Sequence, residues 1–130
     1  MSQIKQVIVY RKNYPDSKGN NRPLRTGKIV AQCSHASMAF LTKRIENKED
    51  LSVVQKEWLK NSFVKVCVYV DTEEELLEIQ KNAIENNVEC HLVTDKGLTE
   101  FNNVPTNTCL ALGPDYSEIL DKITGHLKLL

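Results

Sequence analysis

Apolar and polar positions along the chain alternate between two periods, and the alternation predicts strands and helices taking turns. Val7-Ile8-Val9-Tyr10 is a dense β-branched and aromatic run, the pattern of a buried strand. From Thr26 to about Lys43 the period lengthens. Ile29, Cys33, Ala36 and Phe40 fall at helical spacing and make an apolar stripe, with Thr26 placed to cap the helix. Asp50 to Lys60 predicts a second helix with Leu51, Val54, Trp58 and Leu59 on its inner side. Phe63 to Val70 returns to strand.

Thr72-Glu73-Glu74-Glu75 has the form of a capping box and opens a helix to Asn86 or Asn87. That helix is expected to bury Leu76, Leu77, Ile79, Ala83 and Ile84. Cys90 to Asp95 and Asn107 to Leu112 read as the third and fourth strands. Asp115 to Glu118 caps a last helix carrying Ile119, Leu120, Ile123 and Leu127. The order β-α-α-β-α-β-β-α predicts one α/β domain over residues 1–130. Its sheet is four-stranded and mixed, with helices on both faces.

Two stretches escape both periods. Asn13 to Pro23, with two prolines, a glycine and polar turn formers, reads as a long loop, and loops of that length are often functional. Lys96 to Pro105 reads as a second polar loop. The 41% apolar and 26% charged composition is that of a soluble globular domain. No run approaches the roughly 20 apolar residues needed to span a bilayer. The N-terminal residues lack the small-residue cleavage site of a signal peptide, so the cytoplasm is the expected location. Four cysteines, Cys33, Cys67, Cys90 and Cys109, are spread without a close pair. That spacing fits neither a metal site nor a disulfide framework, and Cys67, Cys90 and Cys109 read as small buried hydrophobes in strands.

The 17 basic and 17 acidic residues cancel, so only their distribution is informative. Arg11, Lys12, Lys18, Arg22, Arg25 and Lys28 face a lone Asp16, a local basic patch able to steer a polyanion. From Asp71 to Glu89 the balance reverses, and much of that acid suits a helix N-terminus.

Thr26-Gly27-Lys28 invites comparison with a phosphate-binding P-loop and fails it. Gly19 lies too far upstream, and Ile29 replaces the hydroxyl residue. A helix start with a lysine can still hold an anion. Lys28, Gln32 and His35 share one face of the predicted helix, a face that borders either a cleft or solvent. Asp95 ends a strand, where α/β folds place ligand-binding loops, and Thr99 follows four residues on. The pair reads as a water-positioning carboxylate and hydroxyl, or as an Asp-x-Gly turn beside an unrelated threonine. His91, placed in a strand, and His126, placed in the last helix, read as structural. No histidine adjoins an elbow-type serine, so an acyl-enzyme mechanism is not supported.

Taken together, these segments resemble the second (archaeal/eukaryotic) type of peptidyl-tRNA hydrolase. Thr26-Gly27-Lys28-Ile29-Val30-Ala31-Gln32-Cys33-Ser34-His35-Ala36 is similar to that family's G-K-x-A-A-Q-x-x-H-A signature. Asp95-Lys96-Gly97-Leu98-Thr99 is similar to its D-x-G-x-T segment, Thr108 to Pro114 to its last strand, and Leu120 to Leu130 to its C-terminus. The resemblance implies hydrolysis of the ester between a peptide and the terminal ribose of tRNA. It also implies a frequent homodimer and no metal or cofactor. Carried over by motif, Lys28, Asp95 and Thr99 are the catalytic residues, with Gln32 and His35 supporting. Arg11, Lys12, Lys18, Arg22 and Arg25 would then follow the tRNA backbone. The chain departs from the family at Asn13, where an acidic residue is common, and at Thr26, where many members have lysine. A binding module that kept the fold without turnover, and a hydrolase of another small ester or amide, are the competing readings.

Overall fold

The computed structural model describes residues 3–97 and 104–130. Its main sheet has the strand order β4-β1-β6-β5, built from β1 (Ile4–Arg11), β4 (Val64–Val70), β5 (Cys90–Asp95) and β6 (Thr106–Tyr116). β1 pairs parallel with β4, while β6 runs antiparallel to both β1 and β5. Three strands therefore share one direction, and β6 lies between two of them, so the sheet is mixed as expected. Two short strands, β2 (Tyr14–Pro15) and β3 (Asn21–Arg22), form a separate hairpin.

Alternation along β1 divides the core between the two faces of the sheet. Val7 and Val9 point into a cluster with Leu76, Ile79 and Ala83 of α3 (Glu73–Glu85) and Leu120 and Ile123 of α4 (Ser117–Thr124). Ile8 and Tyr10 point the other way, to Ala36 of α1 (Thr26–Asn47) and to Tyr14 and Leu24. Farther down that face Ile4, Phe40 and Trp58 make a third cluster, against which Leu51, Val54 and Leu59 pack. Helices thus cover both faces. Trp58 follows α2 (Val53–Glu57) in a π-helical turn over Trp58–Ser62, so the second expected helix is a short α-helix continued by that turn.

Several boundaries differ from expectation, each for a local reason. Residues 13–23 are not a structureless loop. Asp16 Oδ1 accepts from the amides of Lys18 and Asn20 at 2.8 and 2.9 Å, its Oδ2 accepts from Arg22 Nε at 2.7 Å, and Gly19 turns at φ +80°. One aspartate thereby ties a hairpin. Thr26 is the first residue of α1 rather than its cap, since Arg25 occupies the cap position, where its side chain makes no capping bond. α1 continues past Lys43 to Asn47.

At α3, Thr72 accepts from the Glu75 amide at 3.2 Å, but its hydroxyl bonds the Glu75 carboxylate instead of completing a capping box. The complete box stands at Ser52 and Gln55. Leu77 and Ile84, expected inside, lie on the outer side of α3, 37% and 64% exposed. Cys109 is buried, whereas Cys67 and Cys90 are half-buried. β6 extends beyond Leu112 because Gly113 and Pro114 sit at a bulge against β1 instead of ending the strand. α4 ends at Thr124, leaving His126 past the helix. No helix among the described residues is long and apolar enough to cross a membrane.

Candidate active site

The carboxyl ends of β1, β4 and β5 meet along one edge of the sheet, and α1 starts there too. Such an edge is where open α/β sheets bind ligands. A cleft of about 330 Å³ opens at it, lined by Lys28, Gln32 and His35 of α1 and by Val93, Thr94, Asp95 and Lys96. Residues four and seven apart on the helix therefore do face one cavity.

Asp95 is the convergence point. Lys28 Nζ lies 2.7 Å from Asp95 Oδ2, and Gln32 Nε2 donates to the same oxygen at 3.0 Å. Both side chains of the ion pair are largely sheltered, at 17% and 9% exposure. The Gly97 amide donates to Oδ1 at 2.6 Å. Asp95 thus makes the Asp-x-Gly turn and lines the cleft at once. Lys28, together with the Gly97 amide and Gln32, holds the Asp95 carboxyl below the usual aspartate range, against the opposing effect of burial. A carboxylate has about four acceptor positions. Among the described residues three are engaged, leaving Oδ1 able to accept from a water.

Gln32 is itself held from behind. It is 3% exposed, and its Oε1 accepts from Thr108 Oγ1 at 2.6 Å. Since Oε1 can only accept, this bond turns the amide nitrogen toward Asp95. Thr108 reaches Gln32 because of a β-bulge. Val93 pairs with Cys109 and Thr94 with Asn107, so Thr108 is the extra residue, turned onto the α1 face beside Cys109. Cys109 Sγ adds a bond to the Gln32 carbonyl at 3.2 Å.

Thr108 supports the site although sequence reasoning did not select it, and Gly97, read there only as part of a turn or motif, donates to Asp95. The available signal was a threonine inside the apolar run Thr108-Cys109-Leu110-Ala111-Leu112, where a buried hydroxyl needs a partner. Gly97 has φ +82°, and an added Cβ would collide with the Val104 carbonyl and stand 2.6 Å from its nitrogen.

The other expected site residues are distributed as follows. His35 is exposed at the cleft mouth. Thr99 lies outside the described residues. Arg11 is buried, with Nε donating to the Asn13 carbonyl at 3.0 Å, Nη1 to the Asn107 carbonyl at 3.2 Å, and its guanidinium over the Tyr14 ring. It is also 3.6 Å from Glu73 Oε2. Lys12 is exposed with Nζ 4.1 Å above the Tyr69 ring. Lys18 and Arg22 project from the hairpin and Arg25 from the approach to α1, all exposed. Among the described residues no group of three His, Cys, Asp or Glu is placed to hold a metal.

A carboxylate, an ammonium and a carboxamide converge at the strand ends of an α/β domain, an arrangement able to orient a water and to stabilise developing charge. The chain belongs to the peptidyl-tRNA hydrolase PTH2 family, whose model matches residues 4–130. It is 38% identical over 128 residues to a peptidyl-tRNA hydrolase of Methanocaldococcus jannaschii, covering 98% of this chain and 100% of that one. It is 40% identical over 127 residues to another of Methanopyrus kandleri, covering 97% of each. A probable peptidyl-tRNA hydrolase 2 of Dictyostelium discoideum is 35% identical, over 99% of this chain and 56% of that protein.

Proposed function

We propose that the protein hydrolyses the ester between an N-blocked peptide and the 3′-terminal ribose of tRNA, with Lys28 and Asp95 at the reacting centre. The observation that carries this reading is the sheltered Lys28–Asp95 ion pair in the strand-end cleft. Water adds to the ester carbonyl, the bond to the ribose oxygen breaks, and a peptide carboxylic acid and a free ribose hydroxyl leave. Lys28 supports the negative charge that builds on the carbonyl oxygen. Asp95, whose proton affinity is held down, orients the water in preference to taking its proton outright. Gln32 fixes Asp95, Thr99 is the hydrogen-bonding partner of the water, and His35 stands at the mouth.

In this reading the acceptor stem lies along Lys12, Lys18, Arg22 and Arg25, while Arg11 braces the hairpin from inside. The reaction takes place in the cytoplasm. A homodimer belongs to the same proposal, because Val30, Met38 and Ile45 leave exposed apolar surface on one side of α1.

The test is release of the amino acid from N-acetyl-aminoacyl-tRNA, with free aminoacyl-tRNA and the Lys28→Ala and Asp95→Ala variants alongside. Release from the blocked substrate alone, lost in both variants, is the expected result. Folded protein that binds tRNA but releases nothing would replace this reading with a binding module.

A further inference from the structure

Cys33 and Cys109, far apart in the sequence, meet on the α1 face of the sheet. Cys109 is buried in the cluster with Ile8, Tyr10 and Ala36, and the half-buried Cys33 and Cys67 pack against that cluster. Cys109 Sγ stands 3.2 Å from the Gln32 carbonyl oxygen, which belongs to the peptide joining Gln32 to Cys33. The two thiols are in hydrogen-bonding contact. Cys67 has no such access to Cys109. Their strand partners are Ile8 and Tyr10 of the intervening β1. That leaves two strand spacings of about 4.8 Å between them, beyond the roughly 7 Å limit between Cα atoms for a bridge. Cys90 packs on the opposite face of the sheet.

The pair sits directly behind the proposed reacting centre. Cys33 follows Gln32 and Cys109 follows Thr108, and the 2.6 Å bond between Thr108 and Gln32 is what aims the carboxamide at Asp95. The two thiols are also unequal. The Cys109 thiol beside it holds Cys33 below the ordinary cysteine range, while Cys33 and burial push Cys109 up. Cys33 is the partner with solvent access. Thiolate character and access decide which cysteine is oxidised first, and both select Cys33.

We propose that Cys33 and Cys109 close a reversible disulfide that lowers hydrolysis, a thiol switch on the back of the site. The oxidant is a hydroperoxide. The Cys33 sulfur attacks a peroxide oxygen and the O–O bond breaks. Cys33 becomes a sulfenic acid, and the other oxygen leaves with the thiol proton as water or an alcohol. The Cys109 sulfur then displaces the sulfenic hydroxyl, which leaves as water with the Cys109 proton. Two thiols lose two electrons and the peroxide gains them. The product lacks the S–H that Cys109 gives to the Gln32 carbonyl, and it ties α1 to β6 beside the Gln32–Thr108 bond, turning Gln32 from Asp95. Cysteine bridges in a reducing compartment are characteristically transient and redox-sensing. Formation of the bridge is independent of the hydrolase reading, and only its effect on turnover rests on it.

The test treats reduced protein with hydrogen peroxide, blocks remaining thiols by alkylation and maps cross-linked peptides by mass spectrometry. Hydrolysis of N-acetyl-aminoacyl-tRNA is followed in parallel. The expected result is a Cys33–Cys109 cross-link, a fall in kcat of roughly tenfold or more, as for a displaced site, and recovery with dithiothreitol. Cys33→Ala should hydrolyse like the unaltered protein and keep its rate through the peroxide treatment, which separates the switch from oxidation of methionine. No cross-link, a different cysteine pairing, or a cross-linked protein of undiminished rate overturns the proposal. So does an equal loss in Cys33→Ala. Reduced protein that cuts nothing sinks the hydrolase reading instead, and the cross-link map still decides whether the bridge forms.

Discussion

Among the described residues Asp95 accepts three hydrogen bonds, two from α1 and one from the Gly97 amide, and the consequence is a carboxylate that resists protonation. Because its folded value lies below the ordinary one near 3.9, its charge is present above that value and is lost only as pH falls through the lower folded value. The acid limb of kcat/KM should therefore lie below the usual aspartate range. A limb centred near neutrality would assign proton transfer to another group. Lys28→Ala should lower kcat by about 100-fold or more, the usual effect of removing a preorganised charge. Thr108→Val removes the hydroxyl that orients Gln32. It should cost about 1 kcal/mol of stability and roughly tenfold in kcat, with KM little changed. Gly97→Ala meets both a left-handed backbone and the Val104 peptide, so loss of hydrolysis is expected with the far-off clusters intact. Lys28, Gln32 and Asp95 were legible because helical spacing and a strand end placed them. Thr108 was not, because its orientation depends on a one-residue bulge that no periodicity encodes.

At the scale of elements, α1 is fastened to β5 at both ends. Near the cleft the fastening is Lys28 to Asp95. At the other end Arg44 grips Glu89 with two bonds of 2.9 and 2.6 Å, Gln55 adds one at 3.0 Å, and His91 Nε2 lies 2.6 Å from Oε2. Burial alone would raise the Glu89 value, but His91 and Arg44 together outweigh it and hold it at about 2. Its contribution to stability is complete above the ordinary glutamate value and disappears as pH falls from there toward about 2. Glu89→Gln should cost about 2 kcal/mol at pH 7 in a denaturant titration, and that difference should narrow as the titration is repeated at lower pH. Strand and helix identities were legible from period alone. Leu77 and Ile84 were misassigned because apolarity does not say which side of a helix meets the sheet. The hairpin at 13–23 was missed because its order comes from one aspartate and not from any apolar pattern.

On the scale of the whole molecule, zero net charge conceals a separation of signs. Basic side chains stand around the hairpin and the start of α1, and acidic ones at the head of α3. If Lys12, Lys18, Arg22 and Arg25 each displace a counterion, log Kd for tRNA should change with log salt at a slope of magnitude about 3 to 4. Titrations from low to moderate salt would measure it, and a slope near zero would remove these residues from the interface. The sheet's strand order has a different sort of consequence. β6 sits between β1 and β5, so the strand made last is the one that joins the first strand to the strand bearing Asp95. While the chain is still being synthesised, from its N-terminus onward, the earlier segments can form helices and the β1–β4 pair. The Thr108 strand has yet to emerge. Until β6 has left the ribosome, the strand bearing Asp95 therefore has no neighbour through which to join the sheet, and the cleft cannot form.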